Sequence, residues 1–320
     1  MLWIVRVYAD GRVRRGRDSR GAANLVGGRR VGIMRQVARS PTTVGWGGSG
    51  LRFCLALGLL VLASCASGLP AGGADIERTW NQALVVLPAT ASDDGPLVAR
   101  RSSRALERTV RRLPSGARFP TVVFLHGCTG IGNLPFLEDL GRQGFAVVAP
   151  DSFARTFRPL QCEPGTQRGG RNLFVYDFRS AELTYALERL HELPWVDLDN
   201  LFLMGASEGG VTAALFRADV FNARVIVQWT CTGAPLVAGI DAPLRTPILA
   251  IVRADDPFYA PANTPGQQGH CGLYMEGRPG SQSLVVGAGR DDAAHDVLGD
   301  AGAAAAIFSF LKQATAQRVQ

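Results

Sequence analysis

The sequence predicts an α/β fold in which a mostly parallel central sheet carries helices on both faces. Three observations lead there. Apolar runs such as Thr121–Leu125 (TVVFL) and Phe145–Ala149 (FAVVA) are unbroken by polar residues, as in strands buried on both faces. Segments with apolar residues at helical spacing alternate with those runs, the pattern of a sheet built from strand–helix–strand units. The composition agrees: 320 residues, 47% hydrophobic and 19% charged, can bury a sizeable core and are too apolar for extensive disorder.

The elements follow in order. Residues 1–64 are an N-terminal extension and signal segment, 65–117 a linker with the first strand and helix, and 118–320 the core domain. Within the first segment Arg35, Arg39 and Arg52 lead into Phe53–Ala63, an uncharged run of 11 residues. That length suits the hydrophobic part of an export signal and falls short of the ~20 residues needed to cross a bilayer. Met34 is a more typical signal start than Met1. The run ends at Leu62-Ala63-Ser64-Cys65, which resembles the lipobox of bacterial lipoproteins and would make Cys65 the lipidated first residue. Cleavage of a simple secretory signal near Ala66–Gly68 is the alternative. The whole chain has a net charge of +7, yet residues 1–64 alone hold 11 Arg and 2 Asp, and the remainder sums to −2. The body is near neutral and nothing in it suggests a phosphate-binding surface, so no nucleic-acid partner is expected.

After a small-residue linker at Ser67–Ala74, Gln82–Pro88 is expected as a strand and Pro96–Leu113 as a helix. Thr121–Leu125, Leu134–Arg142 and Phe145–Ala149 read as strand, helix and strand. Ser152–Gly170 is a polar loop with Gly and Pro. Asp177–Leu193 has helical spacing at Leu183, Ala186, Leu187 and Leu190, with charges between them. Leu201–Met204 is a strand, Glu208–Arg217 a helix, and Arg224–Trp229, Ile248–Val252 and Leu284–Val286 strands. Ala301–Lys312 closes the chain as a helix.

Chemistry concentrates in a few places. Gly205-Ala206-Ser207-Glu208-Gly209 is the only G-x-S-x-G in the chain. It sits between a strand and a helix, where glycines allow a sharp turn that exposes the serine oxygen. A serine hydroxyl needs a base held in one tautomer. Of four histidines, His295 lies downstream, between the last strand and the last helix, and is the candidate base. His191 reads as a solvated or capping residue, His270 as a structural loop residue and His126 as one that shapes the loop after TVVFL. For the acid, Ile248–Val252 runs into Arg253-Ala254-Asp255-Asp256-Pro257. Asp256, at the turn before Pro257, is favoured over Asp255, which stays open. The order serine, aspartate, histidine is that of α/β-hydrolases. The backbone amides of Cys128, in His126-Gly127-Cys128-Thr129-Gly130, and of Glu208 are placed to stabilise an oxyanion. Scattered His and Cys residues without paired ligand spacing predict no metal, and no G-x-G-x-x-G follows a strand, so no cofactor is expected.

FLHGCTG at 124–130, APDSFARTFRPLQC at 149–162, GASEGG at 205–210, QWTCTG at 228–233 and AAHDV at 293–297 together resemble the dienelactone hydrolase-like branch of the α/β-hydrolases. The resemblance covers roughly residues 118–312. It implies a sheet of about eight strands, no obligatory cofactor and hydrolysis of ester or lactone bonds in a small-molecule substrate. Dienelactone hydrolases carry cysteine at the nucleophile position, where this chain has Ser207. The branch also has a glycine near the position of Arg253. On that fold Cys128 and Cys162 follow neighbouring strands, and Cys231 and Cys271 follow the next pair. Export to an oxidising compartment then predicts the disulfides Cys128–Cys162 and Cys231–Cys271. The expected protein is an exported serine hydrolase of a bacterial envelope, touching the membrane only through a lipid on Cys65. A peptidase or amidase on the same fold, and a non-catalytic envelope binding protein, are the alternatives.

Overall fold

The computed structural model describes residues 74–92, 95–234, 237–287 and 295–316. The signal segment and Cys65 lie outside the described residues. The chain divides into two units after Gly68, and every described residue belongs to the second. Its strands are β1 (Leu84–Leu87), β2 (Leu97–Arg100), β3 (Phe119–Leu125), β4 (Ala146–Ala149), β5 (Val196–Ala206), β6 (Ala223–Val227), β7 (Ile248–Arg253) and β8 (Gln282–Val286). They form one sheet in the order β2-β1-β4-β3-β5-β6-β7-β8. Every pairing from β4 to β8 is parallel, while β1 runs antiparallel to both β2 and β4.

The helices are α1 (Asp75–Asn81), α2 (Arg104–Arg112), α3 (Leu134–Arg142), α4 (Val175–Leu190), α5 (Glu208–Leu215) and α6 (Ala301–Ala316). Because strand side chains alternate, β3 feeds two cores. Val123 and Leu125 pack with Trp80, Leu106, Leu183 and Val211, under α1, α2, α4 and α5. Val122 and Phe124 pack with Leu137, Leu140 and Ile307, under α3 and α6. The expected α/β-hydrolase fold, a mostly parallel sheet covered on both faces, is the one observed.

Two elements correct the sequence reading. Pro96–Leu113 is not one helix. Leu97–Arg100 pairs with β1 as β2, and the helix begins only where Ser103 caps it by accepting a hydrogen bond from the Leu106 amide. Four half-exposed residues on the sheet edge give too short an alternation to be told from the amphipathic helix that follows. Helix α1, which has no counterpart in that reading, docks Trp80 at 2% exposure into the first core. Elsewhere the elements agree within a few residues, the largest difference being β5, which starts five residues before Leu201.

The parallel strands all end on one rim of the sheet, so the segments following β3, β4, β5, β6 and β7 converge there. Two disulfides fasten that rim, Cys128–Cys162 and Cys231–Cys271, in the expected pairing.

Candidate active site

Strand β5 ends at Ala206, and Ser207 turns the chain with φ 53° and ψ −113°. A non-glycine residue held there stores ~1–3 kcal/mol of strain. The turn is held on both sides: the Ser207 amide donates to the Val227 carbonyl at 2.9 Å, and the Ser207 carbonyl accepts from the Val211 amide at 3.1 Å. The flanking glycines are required by contact. A Cβ on Gly205 would lie 2.1 Å from the Gly209 carbonyl oxygen, and one on Gly209 would lie 2.0 Å from that of Leu125. Helix α5 therefore presses its backbone onto β3, and the serine stands at the rim between them.

The structure brings Asp256 to His295. His295 Nδ1 and Asp256 Oδ2 lie 2.7 Å apart, and Asp256 Oδ1 accepts from the Phe258 amide at 3.0 Å. Asp255 is engaged elsewhere, accepting two 3.0 Å bonds from the Arg253 guanidinium. With the Asp256 side chain only 1% exposed, its oxygens depend on those two donors. The His295 carbonyl is held by Gln228 Nε2 at 2.7 Å, and the Gln228 carbonyl by the Tyr259 hydroxyl at 3.0 Å. The His295 ring lies 4.4 Å from that of Phe258. Its Nε2 is buried with no hydrogen-bond partner among the described residues. Ser207 and His295 line the same two cavities.

The loop after β3 meets the elbow directly: a Cβ on Gly127 would sit 3.5 Å from that of Ser207. Cys128 borders both cavities beside Ser207, and Glu208 opens α5, where the first amides have no partner within the helix. Such amides are available to an anion at the serine.

No protein-family model and no curated protein matches the chain. It is similar to solved structures at low identity. One is a candidate dienelactone hydrolase from Klebsiella pneumoniae, 16% identical, covering 62% of this chain and 89% of that one at a TM-score of 0.41. Another, named m3DLH, is 22% identical over 62% of this chain and 88% of that one, at 0.46. A hyperthermophilic esterase from the archaeon Pyrobaculum calidifontis is 14% identical over 77% and 90%, at 0.42. These likenesses are of fold.

Behind the loop that follows β3 lies a charged cluster that the sequence does not reveal. Arg179 and Glu182 are fully buried on α4, and Arg158 is 3% exposed at its side chain. Arg158 pairs with the Glu208 carboxylate, and Arg179 lies 3.6 Å from both Glu208 and Glu182. Ser152 donates to Glu182 at 2.9 Å and accepts from Arg158 at 2.7 Å, while Arg155 donates to Glu182 at 2.6 Å. Burial pushes the Glu208 carboxyl up, against the pull of the two guanidiniums. His126 is locked into the same cluster. Its Nδ1 bonds the Gly127 carbonyl at 2.7 Å, and its Nε2 accepts from the Ser152 amide and from Arg179, each at 3.0 Å. Burial and then the Arg179 charge hold its pKa well below the ordinary 6.5, so the ring is neutral. The other two histidines are peripheral: His191 caps α4, and His270 Nδ1 accepts from the Gly272 amide. No cluster of metal-ligating side chains occurs among the described residues.

Proposed function

We propose that this protein is a serine hydrolase cleaving carboxylic ester or lactone bonds through an acyl-enzyme. The observation that carries the reading is the 2.7 Å hydrogen bond that His295 Nδ1 donates to Asp256, with Nε2 unpartnered among the described residues and His295 lining the cavities that Ser207 lines. Ser207 Oγ attacks the carbonyl as His295 Nε2 takes its proton. The buried Asp256 carboxylate fixes the tautomer and stabilises the imidazolium. The amides of Cys128 and Glu208 receive the oxyanion, each such donor being worth ~2.7–4 kcal/mol of transition-state stabilisation. His295 then returns the proton to the departing alcohol, and water repeats the sequence to release the acid. A fluorophosphonate probe tests the reading: it labels Ser207 in the wild type and not in Ser207→Ala. Absence of labelling overturns it.

The two disulfides suit a compartment outside the reducing cytosol. No described helix is long and apolar enough to cross a membrane. We place the protein in a bacterial envelope with Cys65 as its lipidated first residue. Mass spectrometry of the mature N-terminus checks this: diacylglyceryl-cysteine is expected, and an unmodified terminus beyond Cys65 refutes the anchor.

A further inference from the structure

Resting on the hydrolase reading above, we propose that the site takes esters of a short, uncharged acid with a substantially larger alcohol. The two cavities that meet at Ser207 are unequal. One, of about 50 Å³, is bounded by Val211, Trp229, Phe258 and Tyr259 together with the Cys128–Cys162 bridge. The other, of about 280 Å³, runs past Gly127, Gly130, Asn133, Gln228 and Asp296. Ser207, Cys128, Phe258 and His295 border both. A carbonyl seated where they join sends its two substituents into different spaces.

The reaction assigns the substituents. The acyl group stays on the serine beside the Glu208 amide, and Glu208 and Val211 of α5 line only the smaller cavity. The alcohol takes its proton from His295 and departs. Asp296, the next residue, and Gln228, which holds the His295 carbonyl, line only the larger one.

Size then sets the acid. An apolar cavity of ~150 Å³ accepts benzene. About a third of that volume holds two or three carbons, an acetyl or propionyl group. Charge sets its polarity. Glu208 is the one Asp, Glu, Lys or Arg bordering the small cavity among the described residues, and Arg158 and Arg179 occupy its carboxylate. An acyl chain ending in a carboxylate finds no Lys or Arg among the described residues of that lining, only the neutral polar side chains of Gln161, Thr264 and Gln267, which repay less of its lost hydration than a cation would.

Two ester series on the full-length protein test this. In the first, 1-naphthol is esterified with acetate, propionate, butyrate, hexanoate and succinate (as the monoester); in the second, acetate is joined to phenol and 1-naphthol. We expect kcat/KM to fall at least ~10-fold from propionate to butyrate, the scale of an excess methylene in a filled pocket. The monosuccinate should be the slowest, and the two acetates should agree within about three-fold, since the larger cavity admits both rings. Val211→Ala, which widens the smaller cavity, should raise the butyrate-to-acetate ratio at least ~5-fold. Rates that stay level or rise up to hexanoate, a monosuccinate as fast as butyrate, or an unchanged ratio in Val211→Ala each overturn the proposal. If Ser207 still labels with the fluorophosphonate, only the size and charge assignment has failed. If nothing labels and no ester is hydrolysed, the hydrolase reading falls with it.

Discussion

Two histidines stand within one site and are built in opposite ways. Both nitrogens of His126 are occupied, by the Gly127 carbonyl on one side and by Ser152 and Arg179 on the other. At His295, Asp256 occupies Nδ1, and Nε2 has no partner among the described residues. Burial and the cationic Arg179 oppose protonation of His126, whereas the neighbour of His295 is a carboxylate that accepts from Nδ1. An imidazole that must exchange a proton needs one nitrogen fixed and one free. An imidazole that must hold a loop needs both fixed.

The largest effects should come from the His295 side. Ser207→Ala and His295→Ala should each lower kcat by ~10⁴-fold or more with the far-ultraviolet circular dichroism unchanged. Asp256→Asn should cost ~10⁴-fold, because the amide can present the wrong tautomer to Nδ1. Asp255→Asn, acting on the Arg253 pair, should stay within about ten-fold. Steady-state kinetics on 4-nitrophenyl acetate decide between them, and a reversed ranking would transfer the role to Asp255.

The His126 side should answer in stability first. Replacing both Cys128 and Cys162 by serine opens a 34-residue separation, and urea unfolding should record a loss of ~3–4 kcal/mol on the chain-entropy account. The smallest effect concerns pH. The folded-state pKa of His126 is depressed, so between it and ~6.5 the unfolded chain binds the extra proton. Stability from this group is therefore present above pH ~6.5 and is lost as pH falls, by at most ~1.4 kcal/mol per pH unit. Glu208, with its pKa raised, works the other way, gaining folded-state protons as pH falls. Unfolding of the wild type and His126→Gln at pH 7.5 and 5.5 isolates the His126 contribution: the wild type should lose more stability on acidification. Equal slopes would mean that His126 does not carry the term.

The strands and the elbow were legible because their signals are local. TVVFL and FAVVA need no context, and a serine between glycines after a strand needs little. The disulfides followed from strand adjacency, which the resemblance supplied. In the sequence a proline alone favours Asp256 over Asp255; in the fold Asp256 meets His295 while Arg253 engages Asp255. The charged cluster is hidden in the sequence because charges on a helix are ordinarily solvated. A signal was nevertheless present. Val175, Arg179, Glu182, Leu183, Ala186 and Leu190 fall on one stripe at helical spacing and all are buried. Arg179 and Glu182 thus occupy the apolar face itself, and charges there call for partners from another segment. Those partners are Arg155 and Ser152 for Glu182, and Glu208 and His126 for Arg179, and they come from segments whose course no periodicity encodes.

Both disulfides lie on the rim where the parallel strands end, and neither joins that rim to β1 or β2. Amide exchange with deuterium should therefore divide the molecule by layer. Amides within β3, β5, β6 and β7 are satisfied by strands on both sides and exchange only when the whole sheet opens. Rim amides exchange through local opening, which the covalent ties suppress. Reduction should accelerate the second class and leave the first nearly unmoved until global stability fails, so the loops of that rim can loosen while the sheet beneath them stays closed.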